Sequence, residues 1–110
     1  MLIQTRTIVV KKGTADLVLE RFMQDGPMDT MEGLIDRSVM VNRKKQDDQE
    51  EIVVMARWRS VEDWKNWEKS DAHIQGHRQN QGKPKPDHII SVTVNMYEVK
   101  AIKEGVSKYK

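Results

Sequence analysis

The sequence contains no cysteine among its 110 residues. Disulfide bonds, thiolate nucleophiles and cysteine-type zinc sites are therefore excluded. No apolar run approaches the roughly 20 residues that a membrane-spanning helix needs. The first residues alternate like a strand and lack the architecture of a signal peptide. We therefore expect a cytoplasmic protein that does not bind a membrane, because a chain without cysteine also suits a reducing compartment.

An excess of charge of one sign is also missing. The chain has 19 Lys and Arg against 17 Asp and Glu, which leaves a net charge of +2 with the signs mixed. A basic stripe for nucleic acid is therefore not expected. The six glycines form no phosphate-binding loop and no G-x-S-x-G motif is present, so a kinase or hydrolase of the common types is not indicated. Any catalysis would depend on a bound cofactor or on the substrate itself.

The apolar pattern predicts four strands and two helical regions, the second of which has two segments. Strands are expected at 2–10, 33–42, 51–58 and 89–99, and helices at 15–24, from 60 and from 70, with a short turn at 28–32. A polar hairpin at 43–50, a loop at 79–88 and a basic tail at 101–110 complete the chain. The order β-α-β-β-α-β predicts an α+β, ferredoxin-like fold with an antiparallel sheet. Residues 1–110 are expected to form a single domain.

The predicted strands carry more apolar residues than one core can use. Helices cover only one face of such a sheet, so the other face needs a cover or stays exposed to water. We expect a second copy to cover it, which predicts a homodimer; a monomer with one wet face is the alternative. The residues concerned are Val9, Val39, Val41, Val53, Met55, Val92 and Val94.

Aromatic and titratable side chains are concentrated in the stretch 58–78, which holds all three tryptophans and two of the three histidines. Trp64 and Trp67 are three residues apart, so one helix face carries both; Trp64 is expected in the core, and Trp67 either there or lining a pocket. His73 and His77 share a face in the same way. The pattern H-x-x-x-H lacks the glutamate of H-E-x-x-H, so a dedicated zinc site is not expected. His77 is either an exposed surface histidine or a ligand for iron or another transition metal.

Three stretches give the chain a family resemblance. They are Lys12-Gly13-Thr14-Ala15 with Glu20-Arg21-Phe22, then Trp58-x-Ser60, and finally Trp67 with Lys69-Ser70-Asp71 and His77 ten residues after the tryptophan. In these residues the chain resembles the IsdG-type haem-degrading monooxygenases. That group belongs to the dimeric α/β-barrel monooxygenases related to antibiotic-biosynthesis enzymes. The resemblance implies a homodimeric α/β barrel built from two ferredoxin-like chains.

The resemblance also implies a reaction and a site. His77 would be the axial ligand of haem iron, and Trp67 would pack against the porphyrin and distort it. Phe22 would contact the haem as well. Haem would be both cofactor and substrate, O2 would open the porphyrin and release iron, and an external reductase would supply electrons.

One position departs from the family pattern. The family has an asparagine in the first strand near the iron-bound oxygen, whereas this chain has Arg6 there, or Thr5 or Thr7 after a one-residue slip. We expect Arg6 to take this catalytic position, where its guanidinium can donate hydrogen bonds but differs from an amide in charge and length. Two alternatives remain open: a cofactor-independent monooxygenase acting on a quinol-like substrate, and a haem-binding carrier without enzymatic activity.

Overall fold

The computed structural model describes residues 1–44 and 46–107, and these form the expected succession of elements. The two parts of the chain outside it, residue 45 and residues 108–110, belong to the predicted hairpin and tail. The strands are β1 Leu2–Lys11, β2 Leu34–Val41, β3 Gln49–Trp58 and β4 Ile89–Glu98. The helices are α1 Ala15–Phe22, α2 Val61–Lys69 and α3 Asp71–Asn80, with a 3-10 turn at Pro27–Thr30.

The four strands form one antiparallel sheet in the order β2-β3-β1-β4. The two strands at the centre, β1 and β3, pair in register along their whole length, from Leu2 opposite Trp58 to Lys11 opposite Gln49. Helix α1 connects β1 to β2, and helices α2 and α3 connect β3 to β4, which gives the split βαβ arrangement. The predicted α+β ferredoxin-like fold is therefore confirmed.

The core lies between the sheet and its helices, in two clusters. Side chains alternate across a strand, so every second residue of β1 and β3 faces the helices. The cluster near α1 contains Ile8, Val10, Val18, Ile52, Val54 and Ile89. The cluster under α2 contains Leu2, Ala56 and Trp58, with Trp64 and Trp67 packed against it. Trp64 thus packs in the core, as its spacing predicts.

The opposite face of the sheet has no cover from within the described part of the chain. The register places Val9, Val53 and Met55 on that face. The other four apolar strand residues of that set, Val39, Val41, Val92 and Val94, lie on the helix side. Sequence alternation gives the period of a strand but not its facing, because register is set by pairing with distant strands.

The edge strand β4 is exposed over most of its length, on both faces. Val92 and Val94 are 42% and 45% exposed, and Tyr97 is 53% exposed. The helices leave β4 bare even on the helix side, except at Ile89, which belongs to the cluster near α1. The exposed apolar residues of this strand are Ile90, Val92, Val94, Met96 and Tyr97.

Three helix and strand boundaries differ from the sequence prediction by two residues, and the first is the end of α1, which comes at Phe22 and not at residue 24. Helix α3 continues to Asn80, so the loop expected from residue 79 begins later, because glutamine and asparagine can extend a helix that has already started. Strand β3 begins at Gln49, so the hairpin is shorter than predicted. Residues 101–107 form neither helix nor strand. Among the described residues, no helix is both long and apolar enough to cross a membrane.

Candidate functional site

Helix α2, which carries Trp67, is fixed at its first turn. The hydroxyl of Ser60 accepts a hydrogen bond from the backbone N–H of Asp63 at 3.2 Å and so caps the N-terminus of the helix. The buried Asp63 carboxylate accepts from Arg59 Nε at 2.8 Å and from Ser60 Oγ at 2.9 Å. These hydrogen bonds, that from Arg59 first, lower the pKa of Asp63. In a capping box the third residue of the helix would bond back to the backbone N–H of the cap residue. Here the Asp63 carboxylate is held by the side chains of Arg59 and Ser60 instead.

Ser70 joins α2 to α3 and sets the angle between them. Its hydroxyl donates to the carbonyl oxygen of Trp67 at 2.7 Å and accepts from the backbone N–H of His73 at 3.2 Å. Ser70 is extended, with φ −66° and ψ 148°, so the chain turns there between two helical segments. One side chain therefore couples the last turn of α2 to the first turn of α3.

This junction brings three rings together. The His73 ring meets the Trp67 indole edge-on, with centroids 5.0 Å apart. It meets the His77 ring in the same way at 4.4 Å, and the Nε2 atoms of the two histidines are 3.1 Å apart. His73 is partly buried, whereas His77 is exposed. The His73 ring thus contacts both Trp67 and His77.

An open cleft of about 490 Å³ runs along these rings. Its size lies in the range of small-molecule sites, roughly 300–1,000 Å³. The lining residues are Pro27, Trp67, Ala72, His73, Gln75, Gly76, His77, Gln79 and Asn80. A second depression of about 520 Å³ lies along the other side of α3 and also includes His77. The imidazole of His77 is therefore accessible from two sides.

The structure places Arg6 and Phe22 in a different cavity. This cavity, about 90 Å³, lies between the sheet and the helices, with Gln4, Arg6, Phe22, Met28, Arg37, Val54 and Ala56 around it. Met28 lines it while the preceding Pro27 lines the larger cleft, so the two spaces adjoin at the 3-10 turn. Of the three candidate positions in β1, only Arg6 faces the helices; Thr5 and Thr7 face the other side of the sheet.

Arg6 carries a positive charge that its surroundings do not favour. Although part of the side chain reaches solvent, burial lowers the pKa of the guanidinium, and the nearby charge of Arg21 lowers it further. Arg37 in the same cavity is paired with Asp29 at 2.7 Å. An anionic or acceptor group placed beside Arg6 would relieve the repulsion.

The structure reveals a contact of His73 that the sequence did not predict. Glu68 contacts Nε2 of His73 with its carboxylate. The two residues are five apart and on different helices, so no helical spacing signals the pair. No group of three or more His, Cys, Asp or Glu in the two described ranges is arranged to hold a metal ion. A single histidine ligand to a larger iron-containing group remains compatible with this geometry.

Comparison with known proteins places the chain. Residues 1–79 match the family model described as antibiotic biosynthesis monooxygenase. The chain is 53% identical over 105 residues, 96% of each chain, to a protein from Bacillus subtilis named heme-degrading monooxygenase HmoA. It is 32% identical over 103 residues, 94% of this chain and 85% of the relative, to a Halalkalibacterium halodurans protein named heme-degrading monooxygenase.

Solved structures agree with these matches. A Bacillus cereus crystal structure named for the same monooxygenase family superposes with a TM-score of 0.80 at 45% identity, covering 94% of this chain and 97% of that one. The heme-degrader MhuD from Mycobacterium tuberculosis, with two hemes bound, superposes with a TM-score of 0.62 at 18% identity and shares the fold. It covers 94% of this chain and all of that one. The chain belongs to the antibiotic biosynthesis monooxygenase family.

Proposed function

We propose that the protein is a haem-degrading monooxygenase in which residues 1–110 act as one domain. The observation that carries the proposal is the open cleft in which the Trp67 indole and the accessible His77 imidazole lie on adjacent helices. A flat aromatic wall beside a single exposed imidazole suits a large planar ligand that contains iron. The names of the relatives that match most of the chain at 53% and 32% identity support the same activity.

In this proposal His77 holds the haem and Trp67 shapes it. A neutral imidazole binds iron through one ring nitrogen, and His77 is an exposed residue that lines the cleft. Trp67 is anchored against the core cluster of Leu2, Ala56 and Trp58, so its ring offers a rigid surface. A rigid indole can press against a bound porphyrin, whereas a mobile side chain would yield to it.

Phe22 and Arg6 complete the proposed site from the adjoining cavity. Phe22 would contact the edge of the ligand, and Arg6 would donate hydrogen bonds to a carboxylate of the ligand or to a group near the reacting centre. The lowered pKa of Arg6 supports a role in binding a negative group, because burial and Arg21 both penalise an uncompensated charge. In this proposal Arg6 takes part in catalysis at the position where the family pattern has an asparagine.

Haem bound at this site would supply the iron that activates O2, with an external reductase as the electron source. The residues of the chain would hold the haem through His77, orient it against Trp67 and supply hydrogen bonds from Arg6. Cytoplasmic localisation stays a prediction from the sequence.

A hemin titration followed by reductant tests the function. Wild-type protein is expected to give a saturable Soret band that decays with ascorbate and O2 in the presence of catalase. His77→Ala is expected to lose the spectrum of the histidine-bound species, whereas His88→Ala, a matched control, is expected to keep it. Absence of saturable hemin binding by the wild type contradicts the proposal, and oxygen uptake with a phenolic substrate would then favour the cofactor-independent alternative.

The presence of Arg6 in place of the family's asparagine favours a second candidate function, that of a haem carrier. A carrier would bind hemin with a spectrum that stays constant under reductant. Arg6→Asn separates the two functions: in an oxygenase that Arg6 slows, the decay becomes faster, whereas in a carrier both variants remain stable. Lys12→Asn is a control for the loss of one positive charge on the exposed surface.

We also propose that two chains associate through the uncovered side of the sheet. The support is the set of apolar side chains on that face, Val9, Val53 and Met55 of the central strands and the exposed Tyr97 of β4. A second copy is the simplest cover, because an extended apolar sheet face is unfavourable in water. Analytical ultracentrifugation is expected to give the mass of a dimer and to shift toward the monomer for Met55→Glu. The control Gln79→Glu, on exposed α3, should leave the mass unchanged; a monomeric wild type at tens of micromolar would contradict the dimer.

A further inference from the structure

His73 stands between a carboxylate and the proposed iron ligand, and all three groups meet at one atom. Nε2 of His73 contacts the carboxylate of Glu68, and the same Nε2 is 3.1 Å from Nε2 of His77. The side chains of His73 and Glu68 are 20% and 35% exposed, so both are partly withdrawn from solvent. The Trp67 indole also contacts the His73 ring, edge-on, with centroids 5.0 Å apart.

The contact with Glu68 decides which nitrogen of His73 carries the proton. An ionised carboxylate has only acceptor atoms, and it repels a lone pair on a facing nitrogen. A proton on Nε2 of His73 turns this repulsion into attraction. His73 therefore carries its proton on Nε2 in both its neutral and its charged form.

The protonation of His73 then fixes His77. The single hydrogen on His73 Nε2 is directed to the Glu68 carboxylate, and a second hydrogen on His77 Nε2, only 3.1 Å away, would collide with it, so His77 Nε2 faces His73 with its lone pair. A neutral His77 consequently holds its own proton on Nδ1. The tautomer with a bare Nε2 is the one that can bind iron through that atom without first moving a proton.

We infer that Glu68 and His73 are positioning residues that select the His77 tautomer whose Nε2 carries the lone pair that can bind iron. This inference rests on the proposed function for its purpose, but the tautomer itself is a property of the protein alone. Neither residue touches the proposed ligand through this role. To hold iron, His77 Nε2 would move away from His73, which would keep its contact with Glu68.

The tautomer is measured directly by long-range 1H–15N correlation spectra of the 15N-labelled protein, about two pH units above the ordinary histidine pKa of about 6.5. The three histidines are assigned with His88→Gln and His73→Phe. Wild-type His77 is expected with a protonated Nδ1 and a bare Nε2. A proton on Nε2 of His77 in the wild type overturns the inference.

Glu68→Gln tests the role of the carboxylate, and Glu62→Gln on the exposed first turn of α2 is the matched control. An amide can donate as well as accept, so Glu68→Gln is expected to release His77 to a mixture rich in the Nε2–H tautomer. His73→Phe keeps a ring against Trp67, removes the donor and is expected to have the same effect. An unchanged His77 tautomer in both folded variants overturns the inference.

Hemin binding supplies the second readout. If the bare-Nε2 tautomer falls to a fifth of the population, the apparent Kd rises about fivefold, because only the competent fraction binds. Glu62→Gln is expected to bind as the wild type does. A wild type that shows the expected tautomer but no saturable hemin binding would refute the proposed function and leave the tautomer selection standing.

Discussion

Gly33 is the position where a single added methyl group would test how the helix that carries Trp67 is held. The residue has φ +92°, and its carbonyl accepts a hydrogen bond from the backbone N–H of Arg59 at 2.7 Å. A Cβ at this position would lie 2.5 Å from Oδ2 of Asp63 and closer still to its Cγ. Asp63 cannot swing aside easily, since Arg59 and Ser60 hold its carboxylate.

The expected cost of Gly33→Ala has two parts. A left-handed conformation costs a residue with a Cβ roughly 1–2 kcal/mol, and overpacking against a fixed neighbour costs typically about 1–3 kcal/mol. We therefore expect the free energy of unfolding to fall by about 2–5 kcal/mol. Part of the displacement would be passed to the start of α2, so hemin affinity should also fall.

Gly13→Ala is the matched control. Gly13 has a similar φ of +83°, but a Cβ there would meet nothing within 4 Å. Its cost should be the backbone part alone, about 1–2 kcal/mol. Urea unfolding, followed by tryptophan fluorescence at one fixed protein concentration, measures both. Equal losses for the two variants, at unchanged m-values, would refute the claim that Asp63 is rigidly held.

Two further predictions concern the ends of helices and a pair on the sheet. Ser70→Ala removes both hydrogen bonds that couple α2 to α3, so we expect a loss of about 1 kcal/mol and weaker hemin binding in a titration, while Ser70→Thr, which keeps the hydroxyl, should behave like the wild type. The pKa of Asp36 is lowered, chiefly by hydrogen bonds from Arg57, so its contribution is present above the unfolded carboxyl pKa near 4 and is lost as pH falls through the lower folded pKa. Asp36→Asn should therefore lower the free energy of unfolding at pH 7 by no more than about 1 kcal/mol, since the pair is partly exposed. The difference in unfolding free energy between the variant and the wild type should shrink toward pH 3. A difference that grows on acidification would contradict the lowered pKa of Asp36.

Local patterns carried most of the fold prediction. Strand alternation and the helical spacing of apolar residues depend on neighbours a few residues away, so the sequence was enough to find the strands and helices of the described residues. The ends of α3 and β3 were less certain because adding or removing one hydrogen-bonded residue changes the free energy very little.

The same distinction between local and long-range information holds for the candidate site. His73 and His77 share a helix face because four residues nearly complete a turn, and the sequence alone determined that. Only the tertiary structure placed Glu68 against His73, because the chain bends at Ser70 and ends helical spacing there. It likewise decided that Arg6 faces the helices while Thr5 and Thr7 do not, and that Arg6 and Phe22 lie in a cavity beside the cleft of His77. Strand facing and helix packing are set by pairings tens of residues apart, whose energies depend on which surfaces meet rather than on any local run of residues.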